Sequence, residues 1–157
     1  YEEIAELIKK NVKAYAIEIE KYFKIIIFNY LFSNGDAHLK NFSLFRNENY
    51  GDYLLTPFYD LMNTSLHVPG ERDMALELFK DGFQTESYKS GSKHTMPDFI
   101  EFANRVKKKK KRIITIFVEM LSGKDQVKQL VGSSFLAKDL KTKYLESYYH
   151  RIGRLQK

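Results

Sequence analysis

The sequence contains no cysteine and no tryptophan, and only three prolines in 157 residues. Without cysteine there is no disulfide framework, no thiol nucleophile and no thiolate zinc site, and a cytoplasmic home is the default expectation. The longest uninterrupted apolar run, Ile25-Ile26-Ile27-Phe28, has four residues, far short of the ~20 that a membrane-spanning helix needs. Residues 1–13 are rich in Glu and Lys, so no signal-peptide pattern opens the chain and no membrane partner is expected. The eight glycines never form G-x-G-x-x-G or G-x-x-x-x-G-K, and no Val-Ala-Ile-Lys-like segment is present. The phosphate-gripping loops and strand lysine of kinases and P-loop enzymes are thus missing from these residues.

What is present suits a single domain over residues 1–157. Hydrophobic residues make up 43% of the chain, with 12 Phe and 11 Tyr, enough for a substantial core. The first residue is Tyr, so a piece of a longer polypeptide is expected. The net charge of +6 comes partly from the run Lys107-Lys108-Lys109-Lys110-Lys111-Arg112. A basic run can contact nucleic acid. No aromatics interleave with these lysines to stack bases, which favours a solvated helix start or connector.

Along the chain, Ile4, Ala5, Leu7, Ile8 and Val12 recur at helical spacing. From Ile17 to Phe32 apolar side chains cover nearly the whole helical circumference, the pattern of a buried central helix. Ser33, Asn34 and Gly35 stop it, with Gly35 the natural residue for a left-handed conformation past the helix end. Phe42–Phe45 and Tyr53–Thr56 have strand composition around turn residues Asn47, Asn49, Gly51 and Asp52, and Pro57 closes the second strand. Residues 61–96 read as irregular apart from one strand at Met74–Phe79. Four further helical segments follow Pro97, broken at Gly123 and Gly132. The expected fold class is mostly α with a small β-hairpin (α+β).

The chemistry concentrates in Asn34-Gly35-Asp36-Ala37-His38-Leu39-Lys40-Asn41 and, beyond the hairpin, Asp60. An aspartate with an asparagine five residues on matches the protein-kinase loop H-R-D-x-x-x-x-N, in which a carboxylate accepts the hydroxyl proton and amide and carboxylate oxygens hold Mg²⁺. Asn-Gly-Asp can also be a plain turn. An aspartate at a helix C-terminus faces the negative end of the dipole, however, an unfavourable placement often accepted for function. Asp36 is the candidate general base. Asn41 and Asp60 are the candidate Mg²⁺ ligands, since a hairpin folds its ends together. Asp60 has a rival reading as a helix N-cap. His38 fixes the loop or contacts the transferring phosphate. Lys40 neutralises phosphate charge or points at solvent.

The stretches FNYL (28–31), NGDAHLKNFSLF (34–45), LTPFYDLMNT (55–64) and SFLAKDLKTKYLESYYHRI (134–152) resemble the C-terminal region of HipA-type serine/threonine kinases. These are the toxins of toxin–antitoxin modules. The resemblance implies the larger, mostly helical lobe of a protein-kinase-like fold, with the catalytic aspartate at Asp36 and Mg²⁺ ligands at Asn41 and Asp60. It implies ATP and Mg²⁺ as cofactors, and an N-terminal lobe outside these residues that carries the phosphate loop. Implied partners are a cellular protein substrate, aminoacyl-tRNA synthetases among them, and a HipB-like helix-turn-helix antitoxin, with DNA reached only through that antitoxin. Two other readings stand beside it. One is a small-molecule phosphotransferase of the aminoglycoside-kinase kind, against which His38 counts because it follows the aspartate. The other is a non-catalytic module that docks an N-lobe, an antitoxin or DNA.

Overall fold

The computed structural model describes residues 1–49 and 51–156. In chain order it holds α1 (Glu2–Asn11), α2 (Tyr15–Leu31), the hairpin strands β1 (Leu44–Asn47) and β2 (Asp52–Leu55), α3 (Glu86–Gly91), α4 (Met96–Arg105), α5 (Lys110–Ser122), α6 (Lys124–Ser133) and α7 (Lys138–Leu155), with single 3₁₀ turns at Leu39–Asn41 and Thr64–Leu66. The class is mostly α with a small antiparallel β element, as expected. No described helix is long and apolar enough to cross a membrane.

The all-round apolar pattern of α2 has its reason in packing. α1, α5, α7 and β2 all lie against it. Tyr22, Phe23, Ile26, Ile27, Tyr30 and Leu31 are fully buried there, meeting Phe99 and Phe102 of α4, Ile116 and Phe117 of α5, and Tyr148 and Ile152 of α7. Phe23 stacks on Phe102 with ring centroids 6.2 Å apart, and Phe117 meets it edge-on at 6.1 Å. Each such side chain contributes about 1.5–3 kcal/mol by leaving water. The helix that ends at the candidate site is therefore the most firmly held element.

The way α2 stops corrects the sequence reading. The left-handed residue is Ser33, with φ +54°, and Gly35 has no positive φ. Ser33 N–H donates to the Tyr30 carbonyl (3.2 Å) and Asn34 N–H to the Asn29 carbonyl (2.9 Å), the paired bonds of a Schellman cap. A serine takes the position glycine usually fills because tertiary contacts hold it. Its hydroxyl lies 2.7 Å from that of Ser147 on α7, and its carbonyl accepts from Thr64 N–H at 3.1 Å.

The hairpin pairs Leu44 with Leu55 and Asn47 with Asp52. β1 begins two residues later than its composition predicts, because Phe42 turns inward to meet Tyr22 and Tyr1 edge-on at 5.2 and 6.0 Å. Buried Glu18 of α2 accepts Leu55 N–H (2.9 Å) and pairs with Lys21 (2.7 Å), which fixes the hairpin against the helix.

The strand expected at Met74–Phe79 does not form. Met74, Leu78 and Phe79 are buried as their apolar character requires. The backbone there has another use: the Leu78 carbonyl accepts Glu2 N–H (3.1 Å) and the Glu77 carbonyl accepts the Tyr1 amine (2.7 Å), so the segment caps α1. Burial alone does not make a strand. The basic run forms the α4–α5 connector and the first turn of α5. Arg112 grips Glu20 of α2 through two bonds of 3.0 and 2.6 Å, and Lys108 reaches the Ala16 carbonyl.

α7 closes the core. Its Arg151 and Arg154 clasp the buried Asp73 carboxylate at 2.9 and 2.7 Å, and the Arg151 guanidinium lies 4.7 Å from the Tyr30 ring centroid. Nearby, His94 is buried, its Nδ1 has no partner among the described residues, and its ring stacks on Tyr88 at 4.7 Å. Burial pushes His94 below its ordinary pKa, against the opposing pull of Asp98 and Asp73. Below about pH 6.5 the unfolded chain then takes up a proton that the folded chain resists, so stability falls as pH falls. His94→Phe keeps the stacked ring and removes that proton. Urea titrations from pH 7 to pH 5 should show a shallower acid loss for the variant than for the wild type, and parallel curves would refute the assignment.

Candidate active site

The loop leaving α2 is held by three asparagines. Asn29, in the last turn of α2, is 4% exposed, as is Asn34, the residue after Ser33. The Asn34 amide nitrogen donates to Asn29 Oδ1 (3.1 Å) and to the main-chain carbonyl of Asp60 (3.0 Å). Its Oδ1 accepts the main-chain N–H of Asp36 at 3.3 Å. Asn41, 8% exposed, donates its amide nitrogen to Asp60 Oδ2 at 3.0 Å, across 19 residues of chain. Residues read in the sequence as separated by a hairpin are thus joined through two buried amides.

Asp60 is exposed, yet its backbone sits in the left-handed region with φ +58°. That conformation is costly for a non-glycine residue and persists only where the surroundings impose it. Asn34 holds its carbonyl and Asn41 its carboxylate. No helix begins at Asp60, so the N-cap reading is not realised. The next turn is Thr64–Leu66, and Asn63 caps it by accepting Leu66 N–H at 3.3 Å.

Asp36 is exposed, and among the described residues its carboxylate receives no hydrogen bond, while its main chain is fixed at both ends. Its N–H goes to Asn34 Oδ1 and its carbonyl accepts His38 N–H at 2.8 Å. The main chain is thus held while the carboxylate faces solvent.

His38 closes the turn. Asn41 Oδ1 accepts the His38 main-chain N–H at 3.0 Å and is also in contact with His38 Nδ1. The main-chain donor fixes the amide orientation, since only the amide oxygen can accept it. That oxygen can then take a bond from His38 only if the ring carries its proton at Nδ1. His38 is thus bonded within the loop through both its main chain and its ring. Lys40 is exposed, and among the described residues its ammonium makes no ion pair; its carbonyl accepts the Tyr59 hydroxyl at 2.7 Å. Tyr1 reaches the loop too, donating its hydroxyl to the Ala37 carbonyl at 2.8 Å.

Gly35 is needed for space. A Cβ there would lie 2.2 Å from Glu71 Cδ. The Thr64 hydroxyl accepts Gly35 N–H (2.8 Å) and donates to Glu71 Oε2 (2.6 Å), so the glycine seats the segment after Asp60 against the loop. Gly35→Ala should push Glu71 off Thr64 and lower stability by about 1 kcal/mol, the worth of one hydrogen bond. In a Glu71→Ala background the same change should be near neutral, and a double-mutant cycle by urea denaturation reads the difference. Equal losses in both backgrounds would show that the clash is not with Glu71.

The sequence singled out Asp36, Asn41 and Asp60 as candidates but not the parts that join them. Asn34 read as part of the helix stop and of an Asn-Gly turn, and Asn29 entered only within the FNYL stretch. Tyr59 and Thr64 entered only as letters of the LTPFYDLMNT stretch, with no role attached, and Glu71 was not singled out. Asn34, Thr64 and Tyr59 bond across segments far apart in sequence, and Asn29 and Glu71 brace two of them.

The family model described as HipA-like C-terminal domain matches residues 1–127. A protein of Haemophilus influenzae bearing the name "Putative kinase" is 28% identical over 167 aligned residues, which cover 99% of this chain and 47% of that protein. The chain thus spans about half the length of the curated relative it matches. The family match takes in α1 and α2, the whole Asp36–Asp60 loop pair, and the helices as far as α6, and on that match the chain belongs to the HipA-like C-terminal domain family.

Proposed function

We propose that this chain is the catalytic C-terminal lobe of an ATP- and Mg²⁺-dependent serine/threonine protein kinase of the HipA type. It would work with an N-terminal lobe that grips the nucleotide. The observation that carries the reading is the bond from Asn41 to Asp60. It sets a carboxylate and an amide together at the exit of the loop that presents Asp36, the grouping that phosphoryl transfer requires. The family match and the kinase name of the Haemophilus relative support it.

The donor set fits magnesium. Mg²⁺ takes one or two carboxylates and fills its remaining positions from phosphates and water. Among the described residues no group of three or more His, Asp or Glu forms an all-protein cage. One carboxylate oxygen of Asp60 is held by Asn41, and the other accepts no hydrogen bond among the described residues. Asp60 would hold the ion, with Asn41 orienting its carboxylate from the side. When bound, Mg²⁺ supplies neutralisation of the charge on the phosphate oxygens.

The residues of the chain do the rest. Asp36 orients the acceptor hydroxyl and takes its proton as the hydroxyl oxygen bonds to the γ-phosphorus and ADP departs. His38 and Asn34 keep the Asp36 main chain from drifting. Exposed Lys40 lies on the same loop, available to anionic oxygens. The acceptor is serine or threonine on a cellular protein, such as an aminoacyl-tRNA synthetase, in the cytoplasm. A HipB-like helix-turn-helix antitoxin restrains the enzyme and makes its only link to DNA. Incubating the full-length protein with γ-³²P-ATP and Mg²⁺ tests this. Label on serine or threonine of a protein is expected, and label on a small alcohol alone, or on nothing, would refute it.

A further inference from the structure

We infer that Asn34 is the positioning residue that couples the candidate proton acceptor to the candidate metal ligand; this rests on the kinase reading of the site. The observation is its bonding. One buried amide accepts the N–H of Asp36 at 3.3 Å and donates to the carbonyl of Asp60 at 3.0 Å, with its second N–H on Asn29 Oδ1 at 3.1 Å. Both hydrogens and the oxygen of the side chain are committed. Through Asn29 the amide is tied to the last turn of α2, the most firmly held element.

Asn34 differs in kind from the other supports of the loop. His38, Tyr59 and Tyr1 each bond to the segment from Ala37 to Asn41, and Asn41 reaches the Asp60 side chain. Asn34 alone among the described side chains bonds to the main chain of both aspartates. It is also the group on the Asp60 carbonyl, the main-chain atom beside the strained left-handed φ of +58°. Releasing that carbonyl lets Asp60 relax toward an ordinary conformation, which swings its carboxylate. A side chain bonded to both acids sets the distance between them, and phosphoryl transfer depends on such placement, where a shift of about 1 Å can cost 10²-fold.

The experiment uses the full-length protein and follows ATP hydrolysis in Mg²⁺, together with Mn²⁺ affinity by electron paramagnetic resonance, Mn²⁺ standing in for Mg²⁺. Asn34→Ala removes all three bonds. Asn34→Asp is isosteric, keeps the acceptor for Asp36 N–H and loses the donors to Asp60 and Asn29. If the alanine variant does not fold by circular dichroism, the aspartate variant carries the test. For Asn34→Ala, kcat should fall by on the order of 10- to 100-fold, with KM for ATP little changed and Mn²⁺ bound several-fold more weakly. Asn34→Asp should lose Mn²⁺ affinity as well. A lowered melting temperature with wild-type kcat and wild-type Mn²⁺ affinity below melting would leave Asn34 a purely structural role and overturn the inference. Asp36→Asn and Asp60→Asn run beside it as controls. Wild-type rates in those two variants would overturn the kinase reading and the inference with it, a result distinct from failure of the Asn34 variants alone.

Discussion

Replacing Asp36 by Asn in the full-length protein is expected to lower phosphoryl transfer by about 10²–10⁴-fold, the range for loss of a positioned general base, and to leave the melting temperature unchanged. The two halves of that expectation have separate grounds. The carboxylate is exposed and, among the described residues, receives no hydrogen bond, so removing its charge breaks nothing in the fold. Its main chain is pinned by Asn34 and by the bond from His38 N–H to its own carbonyl, and both contacts survive the substitution. An amide in the same place cannot take a proton from the acceptor hydroxyl. Transfer of γ-³²P to protein, followed beside thermal unfolding of the same preparation, checks both halves. A variant that is slow because it is unfolded would contradict the structural half, and a fast one the chemical half.

The second large effect separates two substitutions at one position. Asp60→Asn and Asp60→Ala should each lower transfer by at least about 10²-fold, because both remove the charge proposed to hold the cation. They should differ in stability. Asparagine tolerates the left-handed backbone and can still offer an oxygen to the Asn41 amide, so Asp60→Asn is expected to unfold like the wild type. Alanine in the left-handed region costs about 1–2 kcal/mol, and the buried Asn41 amide loses its partner for about 1–3 kcal/mol more. Urea denaturation of Asp60→Ala should therefore show a loss of roughly 2–5 kcal/mol from those two causes. Equal stability of the two variants would mean that the left-handed conformation and the Asn41 bond carry little energy.

The parts of the fold that were legible in the sequence are those set by composition over many residues. The all-round apolar pattern of α2 announced a central helix, and Asn47, Asn49, Gly51 and Asp52 announced the turn of a hairpin. The illegible parts depend on what lies opposite. Ser33 is left-handed because Ser147 and Thr64 hold it, whereas intrinsic preference pointed to Gly35. Met74–Phe79 has strand composition, but its carbonyls serve as the cap of α1, which no local pattern encodes. At the site, the spacing from Asp36 to Asn41 pointed to the candidates and the hairpin between pointed to Asp60, which Asn41 does meet. The struts did not show. An asparagine that bridges two loops has the same letter as one that makes a turn, and only the partners of Asn34 tell them apart.

The central claim is that Asp36 and Asp60 act as one unit, held by shared amides. The most direct test is a double-mutant cycle on single-turnover γ-phosphate transfer by the full-length protein, with wild type, Asp36→Asn, Asp60→Asn and the double variant. Groups that act together give non-additive losses, so the double variant is expected to be no slower than the slower of the two single variants. Wild-type rates in either single variant, or losses that multiply in the double variant, would contradict it.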